Sequence, residues 1–296
     1  MVSASVSVLA PATLTFASFS QYFHIHQLGE KNQTRIMSES PIIETISSVP
    51  GGHPFQSLDI LRPASFDSST VSRWVIFIHG GAWRDPNNTS KDGHPLLTSL
   101  LSTTTTTTSP PFGCASLNYR LSPDVTHPAH LDDCISALRL LHEQYGMQEY
   151  ILVGHSAGAT LAFQIAHALS PSQKGDLGTL KSLICTEGLY DLADLCTEYP
   201  DYTSFVESAF DSVRAASVAS PVNLLEGVEK EGVEVVLVQS MEDELLSPWQ
   251  TGLMEERLER RGWSVEVRGA AGKHDEVFVG PEVVEVAREV IEKVWS

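Results

Sequence analysis

Short apolar runs along this chain alternate with segments whose apolar residues recur at helical spacing. Residues 74–78, 114–119, 151–153, 180–185, 233–238 and 264–268 read as strands, several of them apolar throughout, as buried parallel strands are. Residues 56–61 alternate polar and apolar and predict an early edge strand ended by Pro63. Between these lie predicted helices at 93–102, 130–145, 157–168, 250–261 and 281–295. In the second, Leu131, Cys134, Ile135, Leu138 and Leu141 form one stripe; the last carries Pro281 at its start. Such alternation predicts an α/β fold, a mostly parallel sheet with helices on both faces.

Two segments break the rhythm. The threonine run 103–108 with Ser109-Pro110-Pro111 is low complexity and predicts a surface loop. The connection 187–232 is too long for a plain loop and holds Tyr190, Tyr199, Tyr202, Phe205 and Phe210. It predicts an inserted helical cap, and aromatics so spaced more often pack a core than bind a ligand.

The chemistry centres on Tyr150-Ile-Leu-Val-Gly154-His155-Ser156-Ala157-Gly158. The run 151–153 is a strand, 157–168 a helix, and Gly154 to Gly158 between them fits G-x-S-x-G. Strand, sharp turn and helix is the setting in which this motif exposes a nucleophilic serine. Glycines flank Ser156 because a Cβ at Gly154 or Gly158 would meet the neighbouring strand and helix. Serine needs a base to take its proton, and the base needs a carboxylate to orient it. In this motif's fold they follow in the order serine, acid, histidine. The loop after 233–238 supplies Asp243, with Glu242 and Glu244 as rivals; the loop after 264–268 supplies His274, and no histidine lies between it and His167. Ala157, opening a helix, offers one oxyanion N–H. His79-Gly80-Gly81 after strand 74–78 offers the second, from Gly81 or next from Gly80. His79 is read as structural. Trp83 either walls the acyl pocket or packs beneath the loop.

Charge narrows the partners. Lys plus Arg total 19 against 37 Asp plus Glu, a net −18. Such a surface repels phosphate backbones and anionic lipid, so no nucleic acid and no membrane are expected. Cys114, Cys134, Cys185 and Cys196 show no zinc spacing and predict free thiols in a reducing, cytoplasmic compartment. Residues 1–40 are predicted as a disordered extension and 41–296 as the domain. Residues 1–36 lack the basic start of a signal peptide, the arginines of a transit peptide and the length of an apolar span; Met37 opens a more ordinary start.

The constellation resembles the α/β-hydrolase superfamily, on its esterase/lipase branch with an H-G-G loop. More narrowly, His79-Gly-Gly-Ala-Trp-Arg-Asp-Pro86 with Asn88, Gly154-His-Ser-Ala-Gly158, Asp243-Glu-Leu-Leu246 and Lys273-His-Asp-Glu276 resemble the fungal-type kynurenine formamidases. The resemblance runs from about Ile42 to Trp295. It implies an α/β-hydrolase fold and hydrolysis of N-formyl-L-kynurenine to L-kynurenine and formate, without metal or organic cofactor, and is compatible with a homodimer. A general carboxylesterase for short acyl esters shares all of this chemistry. A catalytically dead binding protein would show a broken motif, and none is broken.

Overall fold

A computed structural model describes residues 41–62, 71–103, 112–168, 177–226, 228 and 230–296. The predicted extension 1–40, the strand end at Pro63 and residues 104–108 of the threonine run lie outside the described residues.

The strands are β1 (Ile42–Ser47), β2 (Ser57–Arg62), β3 (Arg73–Ile78), β4 (Gly113–Leu117), β5 (Glu149–His155), β6 (Thr179–Thr186), β7 (Glu234–Ser240) and β8 (Val265–Ala270). They form one eight-stranded sheet in the order β1-β2-β4-β3-β5-β6-β7-β8. From β4 to β8 every pairing is parallel, while β2 runs antiparallel to both β1 and β4.

One expectation needs correcting. The segment around residues 56–61 is not the edge strand. β1 lies outside it, paired from Ile42↔Arg62 to Ser47↔Ser57. β1 gave little signal because it is largely exposed. The polar positions of β2 are buried instead of solvated. Asp59 accepts hydrogen bonds from Thr45 Oγ1, Ser90 Oγ and His94 Nε2, at 2.6, 2.7 and 2.8 Å.

Alternation along the strands feeds two cores. Trp74, Ile76, Ile78, Tyr150 and Leu152 face one, Val75, Phe77, Ile151 and Val153 the other. The second core is closed by α1 (His94–Thr103) and by the C-terminal helix α10 (Pro281–Trp295), which contributes Val283, Val286, Ala287, Val290 and Ile291. On the first face lie α2 (Ala129–Tyr145) and α3 (Ala157–Ala168). Gly146, left-handed at φ 69°, ends α2.

Between β6 and β7 the long connection folds as α4 (Leu192–Glu198), α5 (Thr203–Phe210), α6 (Val213–Ala219) and α7 (Pro221–Leu224). Tyr190, Phe205 and Phe210 from this stretch are buried in the first core. After β7 come α8 (Trp249–Arg260) and, beyond β8, the short α9 (His274–Val277). Among the described residues, no helix is long and apolar enough to cross a membrane.

Candidate active site

Register gathers the site. Ile78 of β3 lies opposite Gly154 of β5, so His79-Gly80-Gly81 leaves the sheet beside His155-Ser156. His155 lies opposite Thr186 of β6, and Thr186 opposite Val238 of β7. The chain therefore delivers its chemistry to the C-terminal edge of neighbouring parallel strands, where open α/β sheets bind ligands.

At the elbow Ser156 has φ 53°, a left-handed conformation costing a non-glycine residue roughly 1–3 kcal/mol. Its N–H donates to Thr186 O at 2.9 Å, which holds the turn. The flanking glycines are sterically required. A Cβ on Gly158 would sit 2.1 Å from the carbonyl oxygen of Ile78, and one on Gly154 would sit 2.5 Å from that of Gly158. The serine side is 6% exposed.

The His79-Gly80-Gly81 loop is built by a different device. Gly81, Ala82 and Trp83 all have positive φ, at 87, 50 and 58°. The Gly81 carbonyl accepts from the N–H groups of Arg84 and Asp85, each at 2.9 Å. A Cβ on Gly81 would meet Asn88 Oδ1 at 2.8 Å. The Tyr119 hydroxyl lies 3.1 Å from His79 O and 2.8 Å from Gly80 O, and its ring stacks on His79 at 4.3 Å. Those carbonyls are thus turned toward Tyr119. Among the described residues, the N–H groups of Gly80, Gly81 and Ala157 donate to no protein acceptor. Ala157 opens α3, so its N–H has no acceptor within the helix.

His79 is fully buried. Burial pulls its pKa down to about 4, more than its Nδ1 contact with Gly80 O raises it. It is neutral and stacked, a scaffold for the loop. Trp83 is fully buried too, its ring against Phe210 at 5.0 Å and Phe205 at 6.2 Å. Of its two predicted roles, the packing one fits this position.

The carboxylates after β7 separate cleanly. Asp243 Oδ2 lies 2.7 Å from His274 Nδ1, both side chains almost fully covered. Its Oδ1 accepts from the N–H groups of Leu245 and Leu246 at 2.7 and 2.9 Å, which explains the turn Asp-Glu-Leu-Leu. Glu244 accepts from the His274 backbone N–H, at 3.1 Å, and is itself exposed. Glu242 is exposed and makes no hydrogen bond to His274. Burial alone would raise the Asp243 pKa. Hydrogen bonds from His274, Glu187 and Leu246, with the charge of His274, outweigh it and hold the carboxyl below the usual range.

With Asp243 on Nδ1, the Nδ1–H tautomer of His274 leaves Nε2 as the lone-pair nitrogen. His155 Nε2 donates to His274 O at 3.0 Å, and the rings lie 4.8 Å apart. Burial, foremost, and then the charge of His274 keep His155 neutral. The Ser156 hydroxyl makes no hydrogen bond among the described residues, a looseness common before substrate is bound.

Sequence reasoning missed Glu187. It is fully buried at the end of β6, and its Oε1 accepts from Ser240 N–H at 2.7 Å. The available signal was a carboxylate continuing the apolar run Ile184-Cys185-Thr186. Glu187, Asp243 and His274 each offer a ligand atom within 4.8 Å of the others, as do His155, His274 and Asp275. Burial first, then Asp243, pushes the Glu187 carboxyl up to about 10.

Comparison with known proteins gives this geometry a family. The model of the alpha/beta hydrolase fold matches residues 75–277. The kynurenine formamidase of Meyerozyma guilliermondii is 43% identical over 225 residues, 73% of this chain and 83% of that protein. That of Scheffersomyces stipitis is 33% identical over 244 residues, 74% of this chain and 90% of that protein. Among solved structures, esterase B from Lactobacillus rhamnosis superposes with a TM-score of 0.71 at 19% identity, covering 88% of this chain and 87% of that one, which shows the shared fold. The chain belongs to the α/β-hydrolase fold family and, within it, to the family of the kynurenine formamidases.

Proposed function

We propose that this protein hydrolyses N-formyl-L-kynurenine to L-kynurenine and formate, using Ser156 as nucleophile, His274 as base and Asp243 as its orienting acid. The observation that carries the reaction class is the covered Asp243–His274 pair, at 2.7 Å, on the same sheet edge as the strained Ser156. The substrate follows from relatives named kynurenine formamidase, at up to 43% identity.

His274 Nε2 takes the Ser156 proton as Oγ attacks the formyl carbon. The N–H groups of Gly81 and Ala157, with Gly80 beside them, hold the oxyanion. The imidazolium returns its proton to the aryl amine as the C–N bond breaks and kynurenine leaves. Water then attacks the formyl-serine, its proton passing through His274 to Ser156 Oγ, and formate departs. No step needs a metal or an organic cofactor. The insertion α4–α7 serves as the cap over the leaving group, and a cytoplasmic enzyme acting on a small molecule, with no nucleic-acid or membrane partner, fits the acidic surface. A homodimer is compatible with this reading.

The test compares kcat/KM for N-formyl-L-kynurenine, N-acetyl-L-kynurenine and p-nitrophenyl acetate. The formamide is expected to win because binding energy is spent on a kynurenine-shaped leaving group. An inert formamide beside a rapidly cleaved nitrophenyl ester would establish the general carboxylesterase instead.

A further inference from the structure

We propose that Glu187 is a positioning residue: its buried carboxyl keeps its proton and donates it to Asp243, holding that carboxylate ionised and aimed at His274. The inference rests on the Ser156–His274–Asp243 reading.

Glu187 sits between the nucleophile's strand and the acid's strand. Ser156 N–H donates to the carbonyl just before it, on Thr186, and its own N–H donates to Val238 O at 3.0 Å. Its φ of 49° is unusual for a residue with a side chain, and such strain collects at functional sites. Oε1 accepts from Ser240 N–H and Oε2 from the Gln239 side-chain amide. The Gln239 amide is itself oriented, because its Oε1 accepts from Thr251 Oγ1 at 2.7 Å. A chain of contacts thus runs from Thr251 on α8 through Gln239 and Glu187 to Asp243 and His274.

The carboxyl oxygens of Glu187 and Asp243 lie within 4.8 Å of each other, and burial at that separation disfavours ionising both. Asp243 has His274 as its ion-pair partner, and Glu187 has none among the described residues. The other titratable groups around the pair sort simply. Glu242, Glu244 and Asp275 lie toward solvent, Lys273 acts on Glu244, and His155 and Tyr190 are buried and neutral. From α8, the neutral Thr251 bonds to Gln239 and the neutral Gln250 to the Tyr190 N–H. Asp243 already accepts from two backbone N–H groups and from His274, and is the better-stabilised anion. The proton therefore stays on Glu187, in line with its pKa near 10.

The chemical consequence is specific. A neutral donor behind Asp243 restrains its rotation and lowers its basicity, so Asp243 orients the imidazolium without taking its proton. An ionised Glu187 would add a second negative charge, over-stabilise the imidazolium and delay proton return to the leaving amine.

The test uses the full-length protein, with Ser156→Ala in parallel and both N-formyl-L-kynurenine and p-nitrophenyl acetate as substrates. Glu187→Gln has the same shape, is always neutral, and can donate its amide N–H to Asp243 if Gln239 turns to match; the turn keeps the Thr251 contact and gives up the Gln239 Nε2 donation to Ser240 O. It should keep kcat within about 5-fold and leave the acid limb of kcat/KM against pH unmoved, whereas Glu187→Leu should lose about 10²-fold in kcat with little change in KM. Wild-type infrared spectra near neutral pH should show a protonated-carboxyl stretch that Glu187→Gln lacks. The proposal is overturned if Glu187→Gln moves the acid limb down by about one pH unit or more. It is also overturned if Glu187→Leu matches the wild type, or if the wild type lacks that stretch. Should Glu187→Leu not fold, the infrared and pH readouts of Glu187→Gln decide. Retained turnover in Ser156→Ala overturns the triad reading itself; with Ser156→Ala inactive, a negative result belongs to Glu187 alone.

Discussion

The carbonyl of Ile78 lies directly over Gly158, leaving no room for a methyl group between β3 and the first turn of α3. That contact lets the helix behind Ser156 press against the strand that ends in His79-Gly80-Gly81. The spacing of the proposed donors and nucleophile is set there.

Gly158→Ala therefore cannot be absorbed by a side-chain shift, because the clash at 2.1 Å is with backbone. The variant should lose roughly 1–3 kcal/mol of stability, as overpacked sites do. It should also lose turnover out of proportion to that loss, since α3 must move away from Ile78. Urea midpoints with kcat/KM on the same samples check this; wild-type turnover in a folded Gly158→Ala protein would contradict it.

Asp243→Asn should lower kcat by about 10⁴-fold while the protein remains folded, because the imidazole loses the charge that fixes its tautomer. Glu244→Gln still accepts from the His274 N–H and should stay within about 10-fold of wild type, and Glu242→Gln closer still. The three rate constants, measured side by side, identify the acid. A dead glutamate variant beside an active Asp243→Asn would transfer that role.

Stability against pH should pass through a maximum near neutrality. Burial pulls His79 and His130 down to about 4 and His155 well below its ordinary value. Unfolded, these rings titrate at about 6.5, so the unfolded chain binds more protons below that pH. Their contribution is complete above about pH 6.5 and is lost as pH falls toward 4, each at up to about 1.4 kcal/mol per pH unit. Glu187 works with the opposite sign. Its folded pKa near 10 exceeds its ordinary value of 4.5, so stability declines as pH rises between them. Urea denaturation from pH 5 to 9 should show the acid-side loss and a shallower alkaline decline, and Glu187→Gln should flatten the latter. A wild-type curve still climbing above about pH 7 would refute this assignment.

Much of the fold and of the site is legible in the sequence. Buried strands such as 74–78 announce themselves because both faces are covered, so every position is apolar. β1 did not, because its exposed residues offer no such contrast. The elbow was legible because steric exclusion writes glycine into fixed positions. The choice among Glu242, Asp243 and Glu244 was not, since neighbouring carboxylates differ only in which way a tight turn points them. Glu187 was invisible for a related reason: a polar residue at a strand end usually reaches water, and only the packing of β5, β6 and β7 shows that this one does not.

Two tyrosines of the inserted helices bear on how such an enzyme could change. Tyr202 Oη donates to Leu245 O at 2.9 Å, and Tyr199 Oη accepts from Ser247 N–H at 2.9 Å, so the inserted segment is tied to the turn that carries Asp243. Selectivity and rate then cannot drift apart freely. A mutation that reshapes this segment also tugs on Asp243, and a lineage exploring new substrates through it would first lose speed on all of them. Variation that leaves both tyrosines in place is the cheaper evolutionary route.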